Sequence, residues 1–170
     1  FFFFCLDACP QRAVNDFLCG LFHDLPEVLT RDIISPIKRS VAGLDELIKD
    51  IEKRQIAEKI LPLLPGEWHK EILYFAENEF ADRAIVDGKI KLLSHPEEIS
   101  EKYNEDQYSA VDGSILKGCD HLAAFVEAWL SIRHGITSQH LREGEEKIGE
   151  MYKSKSIAGI SFAEIFGKFN

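Results

Sequence analysis

Apolar residues recur at helical spacing through most of this 170-residue chain, and this pattern limits the fold more than any other feature. Residues three and four positions apart lie on one side of an α-helix, whereas a half-buried strand needs strict alternation of apolar and polar residues. Such alternation is nearly absent, since no window shows it over a useful length. The pattern therefore predicts an all-α fold.

Proline and glycine divide the chain into predicted helices. The first begins at Pro10, and its predicted inner side consists of Val14, Phe17, Leu18 and Leu21. Further helices are predicted over 37–61, 67–80, 114–135, 138–152 and 161–169. The segment 81–112 contains Asp87-Gly88 and is predicted to be a surface loop, with a mobile lid as the alternative. We predict one domain over 1–170.

The stretch from Gly20 to Asp32 concentrates groups that bind metals or exchange protons. These are His23, Asp24, Glu27 and Asp32, set among apolar residues. A carboxylate is costly to bury unless something pairs with it, and a divalent cation accepts both imidazole and carboxylate ligands. The alternative is that the acids are only helix caps and exposed charges.

His23 and Asp24 can bind one ion only if the chain departs from a regular helix at this point. Consecutive residues on a helix point about 100° apart. Pro26 breaks a helix that reaches this position, because it has no N–H to donate. The sequence therefore predicts that the first helix ends or bends at His23-Asp24.

Asp120 is a second acidic residue of interest, in the predicted helix 114–135. At helical spacing it shares a side with Leu116, Ala123 and Ala124, and with Glu127. An inward carboxylate beside two alanines leaves room for an ion, but it could equally pair with a lysine or arginine. The residues alone leave both possibilities open.

The string His23-Asp24-x-x-Glu27-Val28-Leu29-Thr30-x-Asp32, followed by Pro36-x-Lys38, resembles the HD-domain metal-dependent phosphohydrolases. Within that family it is similar to the bacterial 5′-deoxynucleotidase-like HD proteins. The segment Leu116–Ala124, which contains Asp120, resembles the family's later metal-binding helix. The resemblance extends from Cys9 to Tyr152 and implies an HD-type helical bundle.

The resemblance also implies the chemistry. One divalent ion (Mn, Co, Ni, Fe or Zn) would be held by His23, Asp24 and Asp120. Glu27 would be the general acid/base, and Asp32 would align water or protonate the leaving 5′-oxygen. Arg31 and Lys38, with Arg39, are expected to hold the substrate phosphate, although Arg31 stands where this branch often has glycine and could be only a solvated side chain.

The implied reaction is removal of the 5′-phosphate from a (deoxy)nucleoside monophosphate. An HD phosphodiesterase acting on another nucleotide, or a non-catalytic HD domain that binds a nucleotide or protein, are the alternatives. Members of this branch are often dimers, which implies a homodimer. The family's leading histidine has no counterpart before His23, and the sequence starts at Phe1-Phe2-Phe3-Phe4. We therefore expect a fragment of a longer chain that lacks its first helices.

Composition excludes other classes of function. The net charge of −9 argues against general affinity for nucleic-acid backbones, which depends on lysine and arginine. The four cysteines lack zinc-finger spacing, and we expect reduced thiols in a cytoplasmic protein. No stretch approaches the roughly 20 apolar residues that cross a bilayer, so no membrane partner is predicted.

Overall fold

The computed structural model describes residues 7–30, 43–136 and 138–169, except for the side chain of Asp45. These residues are mostly helical, which confirms the predicted all-α class. They form two compact units, Phe1–Phe17 with Phe80–Asn170, and Leu18–Glu79. We call them the first and the second unit. The single domain over 1–170 stays a prediction.

The helices and strands are as follows. In chain order the helices are α1 (Pro10–Phe22), α2 (Glu27–Thr30), α3 (Leu44–Gln55), α4 (His69–Ala76), α5 (Glu97–Lys102), α6 (Gly113–Arg133), α7 (Gln139–Tyr152) and α8 (Phe162–Gly167). The strands are β1 (Arg83–Val86), β2 (Lys89–Leu92), β3 (Ser156–Ile157) and β4 (Ile160–Ser161). Among these residues, none of the helices combines the length and apolarity that a membrane crossing requires.

An aromatic core fills the space between α6, α7 and α8 in the first unit. We define this aromatic core as Ile115, Phe125, Tyr152, Ile157, Phe162 and Phe166. The rings of Tyr152 and Phe166 are stacked, with centroids 4.7 Å apart. Gly118 lies against Phe162 so closely that a Cβ at this position would overlap the ring. The predicted helices 114–135, 138–152 and 161–169 are confirmed to within a few residues.

Serine side chains begin two of these helices. The Ser138 hydroxyl accepts a hydrogen bond from Leu141 N (3.2 Å) at the start of α7. The Ser161 hydroxyl does the same for Glu164 N (3.3 Å) at the start of α8. Each satisfies a backbone N–H that has no partner within its helix, which is why the sequence locates these helix starts so well.

The buried side of α1 is polar, and this corrects the predicted orientation. Arg12, Asn15 and Asp16 are buried, whereas Val14 and Phe17 are about half exposed. The exposed fraction of Leu21 is 60%. The Arg12 guanidinium donates two hydrogen bonds to the Asp112 carboxylate, at 2.6 and 2.8 Å. Specific partners for the polar side chains decide which side of this helix faces inward.

Further hydrogen bonds complete this polar cluster, which we define as Arg12, Asn15, Asp16, Asn104 and Asp112. Asp112 N donates to the Asp16 carboxylate (2.8 Å), and Asn15 donates to the carbonyl of Ala110 (3.3 Å). Arg12 also donates to Asn104 (3.2 Å). A buried charged group is tolerated only when it is paired and hydrogen-bonded in this way.

The segment 81–112 contains regular structure instead of the expected loop. β1 and β2 pair antiparallel around Asp87-Gly88, and both turn residues have positive φ (51° and 72°). That backbone is the turn that Asp-Gly favours in a two-residue hairpin. Ala84, Ile99 and Ala110 form a small core beneath the hairpin. Movement of this segment as a lid stays a prediction.

The second unit is built from α2, α3 and α4. Between α3 and α4 the chain forms a π-helical turn (Ile56–Ile60) and two 3-10 turns (Leu61–Leu63 and Gly66–Trp68). Its core consists of Ile56, Leu61, Ile72 and Ala76, with Phe22 and Leu25 packed against it. Of the predicted helix 37–61, residues 37–42 lie outside the described residues, and the α-helical part ends at Gln55. The predicted helix 67–80 is shorter, as α4.

Candidate functional site

The chain leaves regular helix at the His-Asp pair, as predicted. α1 ends at Phe22, and Leu25 N donates to the carbonyl of Phe22 (3.0 Å). Glu27 N then donates to the carbonyl of Asp24 (2.9 Å) and begins α2. Because Phe22 and Leu25 pack against the core of the second unit, the residues on both sides of the pair are anchored.

The ring of His23 is oriented by the backbone of α1. Its Nδ1 lies 2.9 Å from the carbonyl oxygen of Gly20, which can only accept a hydrogen bond. Nδ1 must therefore carry the proton. Histidines that bind metals commonly use the second ring nitrogen in this way, since the bond fixes both tautomer and orientation.

The other ring nitrogen faces a carboxylate. His23 Nε2 lies 3.2 Å from Asp24 Oδ1, and the side chains are 21% and 70% exposed. With the proton on Nδ1, a neutral ring would present its Nε2 lone pair to a carboxylate oxygen, which is a repulsive arrangement. Either a second proton on the ring or a cation next to both atoms removes this repulsion. The pair thus fits a divalent cation that accepts one nitrogen and one oxygen ligand.

Glu27 and Thr30 lie at the two ends of α2. None of the four residues of α2 is buried. The hydroxyl of Thr30 donates to Glu52 Oε1 on α3 (3.2 Å), and Glu52 is only 9% exposed. The run of charges around Glu52 predicts a solvated side of the helix, and for Glu52 that prediction is wrong. Glu52 is four residues from both Ile48 and Ile56, which puts it on their buried side.

The remaining predicted residues of this stretch cannot be placed. Arg31, Asp32, Lys38 and Arg39 lie outside the described residues. Among the residues that are described, no group of three or more histidine, cysteine, aspartate or glutamate side chains is arranged to hold a metal.

Asp120 belongs to α6 in the first unit. It is exposed, as are Ala123 and Ala124, so the expectation that the Asp120 carboxylate faces inward is wrong. Only Leu116, one turn before Asp120, is buried on this side, and it contributes to the interior of the first unit together with Ile115 and Phe125. An exposed carboxylate can still bind a cation, so its role as a ligand stays a prediction.

The neighbours of Asp120 are packed more tightly than Asp120 itself. His121 Nδ1 lies 2.9 Å from the Tyr152 hydroxyl. Burial lowers the pKa of His121, and the negative charge of Asp120 partly opposes this shift. Burial raises the pKa of the Cys119 thiol to about 11. A thiol with so high a pKa stays protonated at neutral pH and is a poor nucleophile or metal ligand.

Comparison with known proteins identifies the family. A family model described as "HD domain" matches residues 3–149. Searches of curated proteins and of solved structures found no significant match. HD domains are typically metal-dependent hydrolases and generally bind divalent metals, so the match supports a metal-dependent phosphohydrolase in general. Because the matched residues make up most of the sequence, this chain belongs to the HD domain family.

Proposed function

We propose that this chain removes the 5′-phosphate from (deoxy)nucleoside monophosphates with the help of one divalent ion. The observation that carries the proposal is the orientation of His23, whose Nδ1 bonds to Gly20 O while Nε2 faces Asp24 Oδ1. A pair held in this way presents one nitrogen and one oxygen to a divalent cation, which accepts both types of ligand. The choice of 5′-nucleotides as substrates, among those of phosphohydrolases in general, is supported by the sequence motif that contains Glu27, Asp32 and Lys38.

The proposal assigns His23, Asp24 and Asp120 as ligands of Mn, Co, Ni, Fe or Zn. These ions suit mixed imidazole and carboxylate ligands better than Mg does. When bound, the ion supplies Lewis-acid polarisation of the phosphate and lowers the pKa of water.

The chain's own carboxylates manage the protons in this proposal. Glu27 accepts a proton from the attacking water, since it begins α2 one turn after Asp24. Asp32 aligns that water or protonates the leaving 5′-oxygen, and Arg31 and Lys38 hold the phosphate. General acid–base catalysis of this kind contributes about 10² to 10⁴-fold. The products are a nucleoside and inorganic phosphate.

Metal content and phosphate release test the proposal together. We would load the protein with Mn²⁺ or Co²⁺ and assay a panel of 5′-nucleotides, 3′-nucleotides and phosphodiesters. We expect phosphate release from 5′-monophosphates, loss of the ion in Asp24→Asn and Asp120→Asn, and a bound ion with about 10² to 10⁴-fold lower kcat in Glu27→Gln. Asp50→Asn, on the exposed surface of α3, is the control and should behave like the wild type.

Other outcomes would point to other functions. Turnover of phosphodiesters with no release from 5′-monophosphates would indicate a phosphodiesterase. Nucleotide binding without any turnover, in a protein that retains its ion, would indicate a non-catalytic domain. An ion retained in both aspartate variants would contradict the assigned ligands.

A further inference from the structure

The turn that carries Glu27 lies near the surface. α2 contains four residues, none of them buried, and Val28 is 68% exposed. An exposed turn gains little from the burial of apolar surface, so a polar contact to a buried group matters more for its position. A contact that fixes one residue of this turn also helps to fix Glu27.

Thr30 makes such a contact at the last residue of α2. Its Oγ1 donates to Glu52 Oε1 at 3.2 Å. Glu52 is 9% exposed and lies on α3, between the buried residues Ile48 and Ile56. Because α3 is buried on both sides of Glu52, the position of this side chain is well fixed. The turn that it contacts, α2, is exposed.

We infer that Glu52 is a positioning residue for the reaction, acting through Thr30. Glu27 and Thr30 are three residues apart on one turn, so fixing Thr30 fixes the direction in which Glu27 projects. This inference rests on the proposed function, because it gives a purpose to the position of Glu27.

Thr30→Val and Thr30→Ser are the decisive pair of variants. Valine has the shape of threonine but no hydroxyl, whereas serine keeps the donor. In the metal-loaded protein we expect Thr30→Val to lower kcat about 10 to 100-fold, since a misplacement near 1 Å can cost about 10²-fold. KM should change much less, because Glu27 does not bind the substrate. Thr30→Ser should stay within a few-fold of the wild type.

Glu52 provides the matching test from the other side of the contact. Glu52→Gln keeps an oxygen that accepts a hydrogen bond from Thr30 and should retain most of the activity. Glu52→Leu should lower kcat as much as Thr30→Val does. Combining Thr30→Val with Glu52→Leu should lower kcat no further than either change alone, because both remove the same contact.

Hydrogen exchange of the metal-free protein gives a readout that does not depend on activity. We expect Thr30→Val, and not Thr30→Ser, to exchange faster at Val28, Leu29 and Thr30, with α4 unchanged as the internal control. Unchanged exchange, or full kcat in a Thr30→Val protein that is otherwise active, would overturn the inference and leave the proposed function standing. A wild type with no turnover would overturn the proposed function, and the role of Glu52 in the reaction with it.

Discussion

The first unit contains two buried regions of opposite chemistry. The aromatic core joins α6, α7 and α8 through side chains whose apolar surface is removed from water. The polar cluster joins α1 to the start of α6 through a charged pair whose partners are 5% and 0% exposed. The first depends on shape and area, whereas the second depends on each charge having its partner. Helical periodicity in the sequence predicts an apolar region such as the aromatic core. It assigns the wrong orientation to a helix whose buried side is polar, such as α1.

Removing one member of the polar cluster should lower the stability of the protein more than any other change considered below. Asp112→Ala leaves the Arg12 guanidinium buried without its carboxylate, and we expect a loss of about 3–5 kcal/mol in the free energy of unfolding. Urea denaturation measures it. Glu101→Ala, an exposed acid on α5, should change stability by less than about 0.5 kcal/mol. An Asp112→Ala protein as stable as this control would show that the pair is not buried as described.

Adding one methyl group to the aromatic core should have a smaller effect. The new Cβ in Gly118→Ala would overlap the Phe162 ring, and overpacking of this kind costs about 1–3 kcal/mol. The double variant Gly118→Ala/Phe162→Leu makes room for the methyl group. It should be more stable than the sum of the two single effects, as measured by thermal unfolding. If the stability change in the double variant equals the sum of the two single changes, residue 118 and the Phe162 ring are not in contact.

The buried carboxylate of Asp82 should make the stability of the fold depend on pH. Asp82 accepts hydrogen bonds from Ser114 N (2.9 Å) and from the Ser114 hydroxyl, and burial raises its pKa above 3.8. Because the folded state holds this proton more tightly, the contribution of Asp82 to stability is greatest at low pH. It is lost as pH rises from about 3.8 through the pKa of the folded state.

Asp82→Asn removes this dependence. The stability of the variant relative to the wild type should rise between pH 3.5 and 7, and urea unfolding across that range measures the difference. A relative stability that falls over the same range would mean that the pKa of Asp82 is lowered in the folded state, as expected for a carboxylate paired with a cation.

The exposed side of α1 should be the most tolerant. Val14→Gln changes an apolar residue that the sequence pattern assigns to the interior, but its side chain is half exposed. We expect a change within about 0.5 kcal/mol, as for other surface positions. If urea denaturation shows a loss above about 2 kcal/mol in the free energy of unfolding, Val14 is buried. The orientation predicted from the sequence would then be correct, and the one with a polar buried side would be wrong.

Much of the fold follows from local patterns. The starts of α7 and α8 are set by the side chains of Ser138 and Ser161, so sequence alone locates them. The hairpin was missed although its Asp87-Gly88 turn was recognised, because each of its strands has only four residues, too few for alternation to stand out in the sequence. The orientation of α1 was missed since Asp112, the partner of Arg12, lies a hundred residues away in sequence.

Around the candidate site, the sequence located one local feature of the backbone and missed a contact between helices. The end of α1 at His23-Asp24 follows from Pro26 and from the geometry of metal ligation. The contact between Glu52 and Thr30 does not, because Thr30 belongs to another helix. Contacts between elements depend on tertiary structure, and a single sequence gives no periodic pattern for them.

The long separation between Arg12 and Asp112 also has a consequence during synthesis. Ribosomes add about 5–20 residues per second, so roughly 5–20 s pass between the appearance of the arginine and that of its partner. In that interval the Arg12 side of α1 is charged and hydrated. Because a charge is buried only together with its partner, this side of the helix can be buried only after Asp112 has been made, at a late stage of synthesis.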